Sequence, residues 1–134
     1  MKLGCWVTII LAAFISRIAV AEPAVYLQNK PNVVITADQP TFTIKLASNP
    51  TTGYSWFLRE YHPTFLTPVR HQFEPASNRA LMGAPGFELW TFRVKREAFV
   101  VPQQTILRFV YIRPWETPGR TQQIVFRVSS VAKH

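Results

Sequence analysis

Apolar residues recur at every second position along most of this chain, and no stretch sustains a helical period with caps. In TFTIKLA, 41–47, Phe42, Ile44 and Leu46 alternate with Thr41, Thr43 and Lys45, the pattern of a strand with one wet face. YSWFLRE, 54–60, repeats it, with Tyr54, Trp56 and Leu58 on one side and Ser55, Phe57 and Arg59 on the other. In FELWTFRVK, 87–95, Trp90, Phe92 and Val94 oppose Thr91, Arg93 and Lys95. The nearly continuous apolar run 105–113, broken by Arg108, and 122–131, which alternates Ile124, Phe126 and Val128 inward, both read as central strands. Shorter candidates lie at 25–28, 33–36 and 66–73, and Pro68 confines the last to an edge or a bulge, because proline cannot donate to the ladder. Seven or eight short strands, each needing cover on one face, predict an all-β, immunoglobulin-like two-sheet sandwich. A small closed barrel is the alternative architecture.

The first residues obey a different rule. MKLGCWVTIILAAFISRIAVA has Lys2 ahead of an apolar run from Cys5 to Ile15 and the small residues Ala19 and Ala21 at its end, the layout of a secretory signal peptide. Arg17 interrupts the run well before the roughly 20 apolar residues a spanning helix needs, so a transmembrane anchor is not expected. Residues 1–21 are therefore read as a signal segment and 22–134 as one secreted or periplasmic domain, without stable membrane insertion after cleavage. An uncleaved, tethered form is the lesser reading. The single cysteine, Cys5, leaves with the segment, so no disulfide, thiolate metal site or cysteine nucleophile remains and stability rests on packing. Lys2 and Arg17 leave too, so 15 basic against 7 acidic side chains become 13 against 7, a net charge of +6. A basic domain favours encounter with acidic proteins, nucleic acid or anionic membranes, without choosing among them.

Three connections between strands are more specific than turns require: NPTTGY at 49–54, GAPG at 83–86 and RPWE at 113–116. In this order they resemble the hallmarks of the chagasin family of protein inhibitors of papain-like cysteine peptidases: N-P-T-T-G-[YF]-x-W, a glycine-rich loop leading into a strand, and an R-P-W turn. The resemblance spans roughly 32–131, and the glycine-rich loop departs from some relatives in carrying Pro85. It implies an immunoglobulin-like sandwich whose loops meet at one end. Asn49, Pro50, Thr51, Thr52 and Gly53 would enter the peptidase cleft. Gly83, Ala84, Pro85, Gly86 and Phe87 would clasp one rim, and Arg113, Pro114 and Trp115 the other, with Trp115 stacking on an indole of the enzyme. The implied partner is a cathepsin-type peptidase bound one-to-one by a monomer.

The residue types suit that task. Pro50 fixes its own φ and biases Asn49 toward extended backbone, Thr51 and Thr52 have few rotamers, and Gly53 is free to take positive φ. The Asn49 side-chain oxygen can accept from the N–H two residues on. A loop shaped before binding avoids roughly 0.5–1.5 kcal/mol for each rotamer-rich side chain otherwise immobilised. Taken alone, Asn-Pro-x-x-Gly also makes an ordinary turn. Gly83 and Gly86 either permit close backbone approach to a partner or make a flexible connection. Trp115 either caps the core or stands exposed as an anchor, and Arg113 either reaches across the rim or pairs with Glu116. Tyr54 and Trp56 face one way and are expected to brace the central loop from the core.

Other functions find little support. His62, His71 and His134 lie in no metal-ligand spacing, Asp38 is the only aspartate, and no nucleophile elbow surrounds a serine, so neither an enzyme nor a metal or other cofactor is expected. Arg93, Lys95, Arg96, Arg108 and Arg127 suggest a nucleic-acid stripe, but Arg93 and Lys95 share the face opposite Trp90 and Phe92, as a solvated surface would, so no nucleic-acid partner is expected. The remaining alternative is an extracellular immunoglobulin-like interaction module binding another protein or a glycan.

Overall fold

The computed structural model describes Gly4 and residues 22–75, 85–116 and 121–132. The signal segment, Gly83, Ala84 and His134 lie outside the described residues apart from Gly4. Eight strands are present among those described: β1 (Ala24–Leu27), β2 (Asn32–Thr36), β3 (Thr41–Ser48), β4 (Ser55–Glu60), β5 (Leu66–Glu74), β6 (Gly86–Val94), β7 (Gln104–Ile112) and β8 (Gln122–Val131). They form two four-stranded sheets, in the orders β1-β3-β6-β5 and β2-β8-β7-β4. The antiparallel triplets β3-β6-β5 and β4-β7-β8 reproduce the two halves of an immunoglobulin domain. Two edge strands depart from that scheme, β1 running parallel to β3 and β2 parallel to β8.

Alternation builds the core. Phe42, Ile44 and Leu46 of β3, Phe92 of β6, Leu107 and Phe109 of β7 and Phe126 and Val128 of β8 are all fully buried. The Phe109 ring meets Trp90, Phe92 and Phe126 edge-on, at centroid distances of 5.5, 6.2 and 6.0 Å, the packing that ring quadrupoles favour. Arg93 and Lys95 are exposed on the opposite face. Arg108 pairs with Glu60. The proline-bearing strand β5 takes an edge, and its pairing with β6 shifts register between Pro68 and Arg70.

Register also fixes which connections share an end. Ser48 pairs with Gly86, Glu74 with Phe87, Ser55 with Ile112 and Gln122 with Tyr111. The connections β3 to β4, β5 to β6 and β7 to β8 therefore all leave from the same end of the sandwich. Because β1 starts beside Phe42, near the start of β3, Glu22 lies toward the opposite end, where its carbonyl accepts from Gln39 Nε2 at 2.8 Å.

Candidate functional site: the loop end

Pro50–Thr52 form a single turn of 3-10 helix, and Asn49 stands before it in extended backbone with φ −122° and ψ 93°. The Asn49 side-chain oxygen accepts from the Thr51 N–H at 3.3 Å and the Thr51 hydroxyl at 2.6 Å, while the Thr52 hydroxyl donates to the Asn49 carbonyl at 2.6 Å. Gly53 closes the turn at φ 80°, where its N–H reaches the Pro50 carbonyl at 3.1 Å. Among the described residues it alone has positive φ, a conformation in which a β-carbon would be strained. The loop is thus held largely by its own hydrogen bonds, with Pro50, Thr51 and Thr52 exposed at its tip.

The third segment is fastened to the first. Arg113 Nε donates to the Thr52 carbonyl at 2.8 Å, one guanidinium nitrogen donates to Glu116 at 2.8 Å, and the group lies 4.5 Å from the centre of the Tyr54 ring. The hydrogen bond to Glu116 raises the Arg113 pKa above its ordinary value, against the opposing effect of desolvation. Arg113 thus pairs with Glu116 and adds a bond to the neighbouring loop. Trp115 is 72% exposed, so it is not a core residue. Its indole edge lies over Gly53, where a β-carbon would stand 2.5 Å from Cη2 and 2.8 Å from Cζ2.

Beneath them an aromatic stack supports both loops. Tyr54 stacks on Tyr111 at 5.3 Å, and Tyr111 meets Trp56 at 4.9 Å. Trp56, 2% exposed, donates its indole N–H to the Ala47 carbonyl at 2.9 Å, tying β4 to β3 of the other sheet. The Tyr111 hydroxyl accepts the Asn49 N–H at 3.0 Å. Tyr54, Tyr111 and Trp56 thus form one contiguous group of rings below the turn. In the sequence Tyr111 falls inside a central strand, and its phase in the alternation does not reveal what its hydroxyl reaches.

Of the second segment, Pro85, Gly86 and Phe87 are described. Gly86 is buried, and a β-carbon there would lie 2.5 Å from both the Glu74 carbonyl and the Phe73 ring. The close approach that its glycine permits is to this chain's own β5. Phe87 is half-buried, with Lys45 Nζ 4.2 Å from its ring centre. Among the described residues no three His, Cys, Asp or Glu side chains gather as metal ligands.

The loop end of this two-sheet β-sandwich thus exposes a hydrogen-bonded turn beside an unburied tryptophan. Residues 37–129, more than half of the chain, match the family described as chagasin family peptidase inhibitor I42, and the protein belongs to that family. Membership places it among peptidase inhibitors, not enzymes. Among solved structures it is similar to the cysteine protease inhibitor EhICP2 from Entamoeba histolytica, at 18% identity and TM-score 0.63, covering 82% of this chain and 95% of that one. It is also similar to amebosin, at 18% identity and TM-score 0.62, covering 83% of this chain and 99% of that one. Comparison with curated proteins gives no match.

Proposed function

We propose that this protein is a reversible, noncovalent inhibitor of papain-like cysteine peptidases of the cathepsin type. It binds one-to-one as a monomer and occludes the catalytic cleft with its loop end, after export to a secreted or periplasmic location and removal of residues 1–21. The observation that carries this reading is the fastening of Trp115 over Gly53 and of Arg113 to Thr52, which joins the first and third segments into one surface. Family membership and the description of EhICP2 as a cysteine protease inhibitor support the target class.

The chemistry is that of a plug. Thr51 and Thr52 enter the cleft in a tight turn, so the extended backbone that a thiolate attacks is not offered. The internal hydrogen bonds of Asn49 satisfy the loop before binding and limit what must be ordered on association. Exposed Trp115 supplies the flanking anchor. Inhibition of papain by the purified protein, read with a fluorogenic peptide, tests the proposal, and Trp115→Ala is expected to raise the dissociation rate at least tenfold. An unchanged papain rate at micromolar protein, repeated with a cathepsin, would favour an interaction module with a different partner.

A further inference from the structure

The inner face of β6 carries Glu88, Trp90, Phe92 and Val94, and the first of these breaks the apolar pattern. Glu88 is only 3% exposed. One carboxylate oxygen accepts the backbone N–H of Trp56 at 3.0 Å. The other accepts from the Ser55 hydroxyl at 3.3 Å and from His71 Nε2 at 2.8 Å. The His71 ring lies flat against Trp90, with centroids 3.9 Å apart and planes 17° from parallel. A single carboxylate thus links β6 and β5 of one sheet to the first two residues of β4 in the other. Those two residues follow Gly53 and Tyr54 directly.

Packing alone does not call for an acid at this place. Burying a carboxylate is costly unless hydrogen bonds and a partner compensate it, and an apolar residue would often fill the same space at lower cost. What Glu88 provides is direction. Trp56 lies on β4, an edge strand, and its N–H points to Glu88 in the opposite sheet. We propose that Glu88, held by His71, is a positioning residue for the central loop: it fixes the angle at which the chain leaves Gly53, and with it the presentation of Thr51 and Thr52 beside Trp115. A cleft of about 390 Å³ is lined by Pro50 of this loop, by His71 and Phe73 of β5, and by Ser55 and Glu88 themselves. This role rests on the cleft-blocking reading, since it concerns how the blocking loop is aimed.

The test compares Glu88→Leu, Glu88→Gln and His71→Phe in the purified protein. Inhibition of papain is measured together with amide hydrogen exchange at Trp56 and Gly53, and at Phe109 and Val128 as core references. Leucine is expected to weaken inhibition at least tenfold and to speed exchange at Trp56 by a similar factor, with the core amides unchanged. Glutamine keeps an acceptor for the Trp56 N–H and is expected to recover most of both losses. Phenylalanine keeps the ring on Trp90 but loses the donor, and a loss of a few-fold is expected. Parental exchange at Trp56 together with parental inhibition in Glu88→Leu would overturn the proposal, as would equal acceleration of all four amides. If the leucine variant does not fold, His71→Phe decides by the same two readouts. If the parent does not inhibit papain, the cleft-blocking reading fails, while exchange at Trp56 and Gly53 still decides whether Glu88 sets the loop.

Discussion

Replacing Gly53 by alanine tests the loop and its cover together. At φ 80° an added β-carbon meets backbone strain of about 1–2 kcal/mol, partly offset by the roughly 0.4–1 kcal/mol that alanine gains through a less flexible unfolded chain. A net loss of about 1 kcal/mol lowers Tm by about 4–8 °C in a domain of roughly 100 residues. The second effect is steric. The new carbon would stand 2.5 Å from Trp115 Cη2, and because that indole is exposed it can swing away instead of straining the core. Losing a tryptophan anchor costs about 2 kcal/mol or more in binding, close to 30-fold in affinity. The assay is a double-mutant cycle of Gly53→Ala and Trp115→Ala, measuring the inhibition constant for papain and thermal melting in parallel. In the Trp115→Ala background, Gly53→Ala is expected to lower Tm as before but to change inhibition far less than in the parent. Full additivity in inhibition would refute the contact between the two loops as a determinant of binding. An unchanged Tm for Gly53→Ala alone would refute the backbone argument.

Two further substitutions separate the site from its scaffold. Tyr111→Phe removes the acceptor of the Asn49 N–H while keeping the ring on Tyr54 and Trp56, and is expected to cost about 1 kcal/mol in urea unfolding and several-fold in inhibition. Phe109→Ala empties the centre of the aromatic core and is expected to cost about 3–5 kcal/mol by the same unfolding measurement, with the inhibition constant of the folded fraction unchanged.

Much of this architecture was legible because period-two alternation says which side chains face inward, and the central strands β3, β6, β7 and β8 obey it with few exceptions. Pro68 correctly marked an edge. The central loop was readable in detail, from the extended backbone at Asn49 to the side-chain bond to the Thr51 N–H and the positive φ of Gly53, since proline, asparagine and glycine constrain backbone within a few residues. Contacts distant in sequence were not readable. The parallel pairing of β1 with β3 and of β2 with β8, the bond from Arg113 to Thr52 and the reach of Tyr111 to Asn49 depend on tertiary placement. Gly86 shows the same limit, because a glycine opening a strand does not say whether close approach serves a partner or, as found, a neighbouring strand. Glu88 did leave a signal. It occupies the inward phase of β6, where an acid demands a partner, but its partners His71, Ser55 and Trp56 lie on two other strands.

The parallel course of β1 beside β3 has a practical outcome for handling the molecule. Chain joined ahead of Glu22 enters at the pole remote from Thr51 and Trp115, so a label, a fusion or a surface linkage added there leaves the loop end pointing outward and unobstructed. An extension joined ahead of Glu22 can therefore serve for immobilised binding measurements without masking the groups being measured.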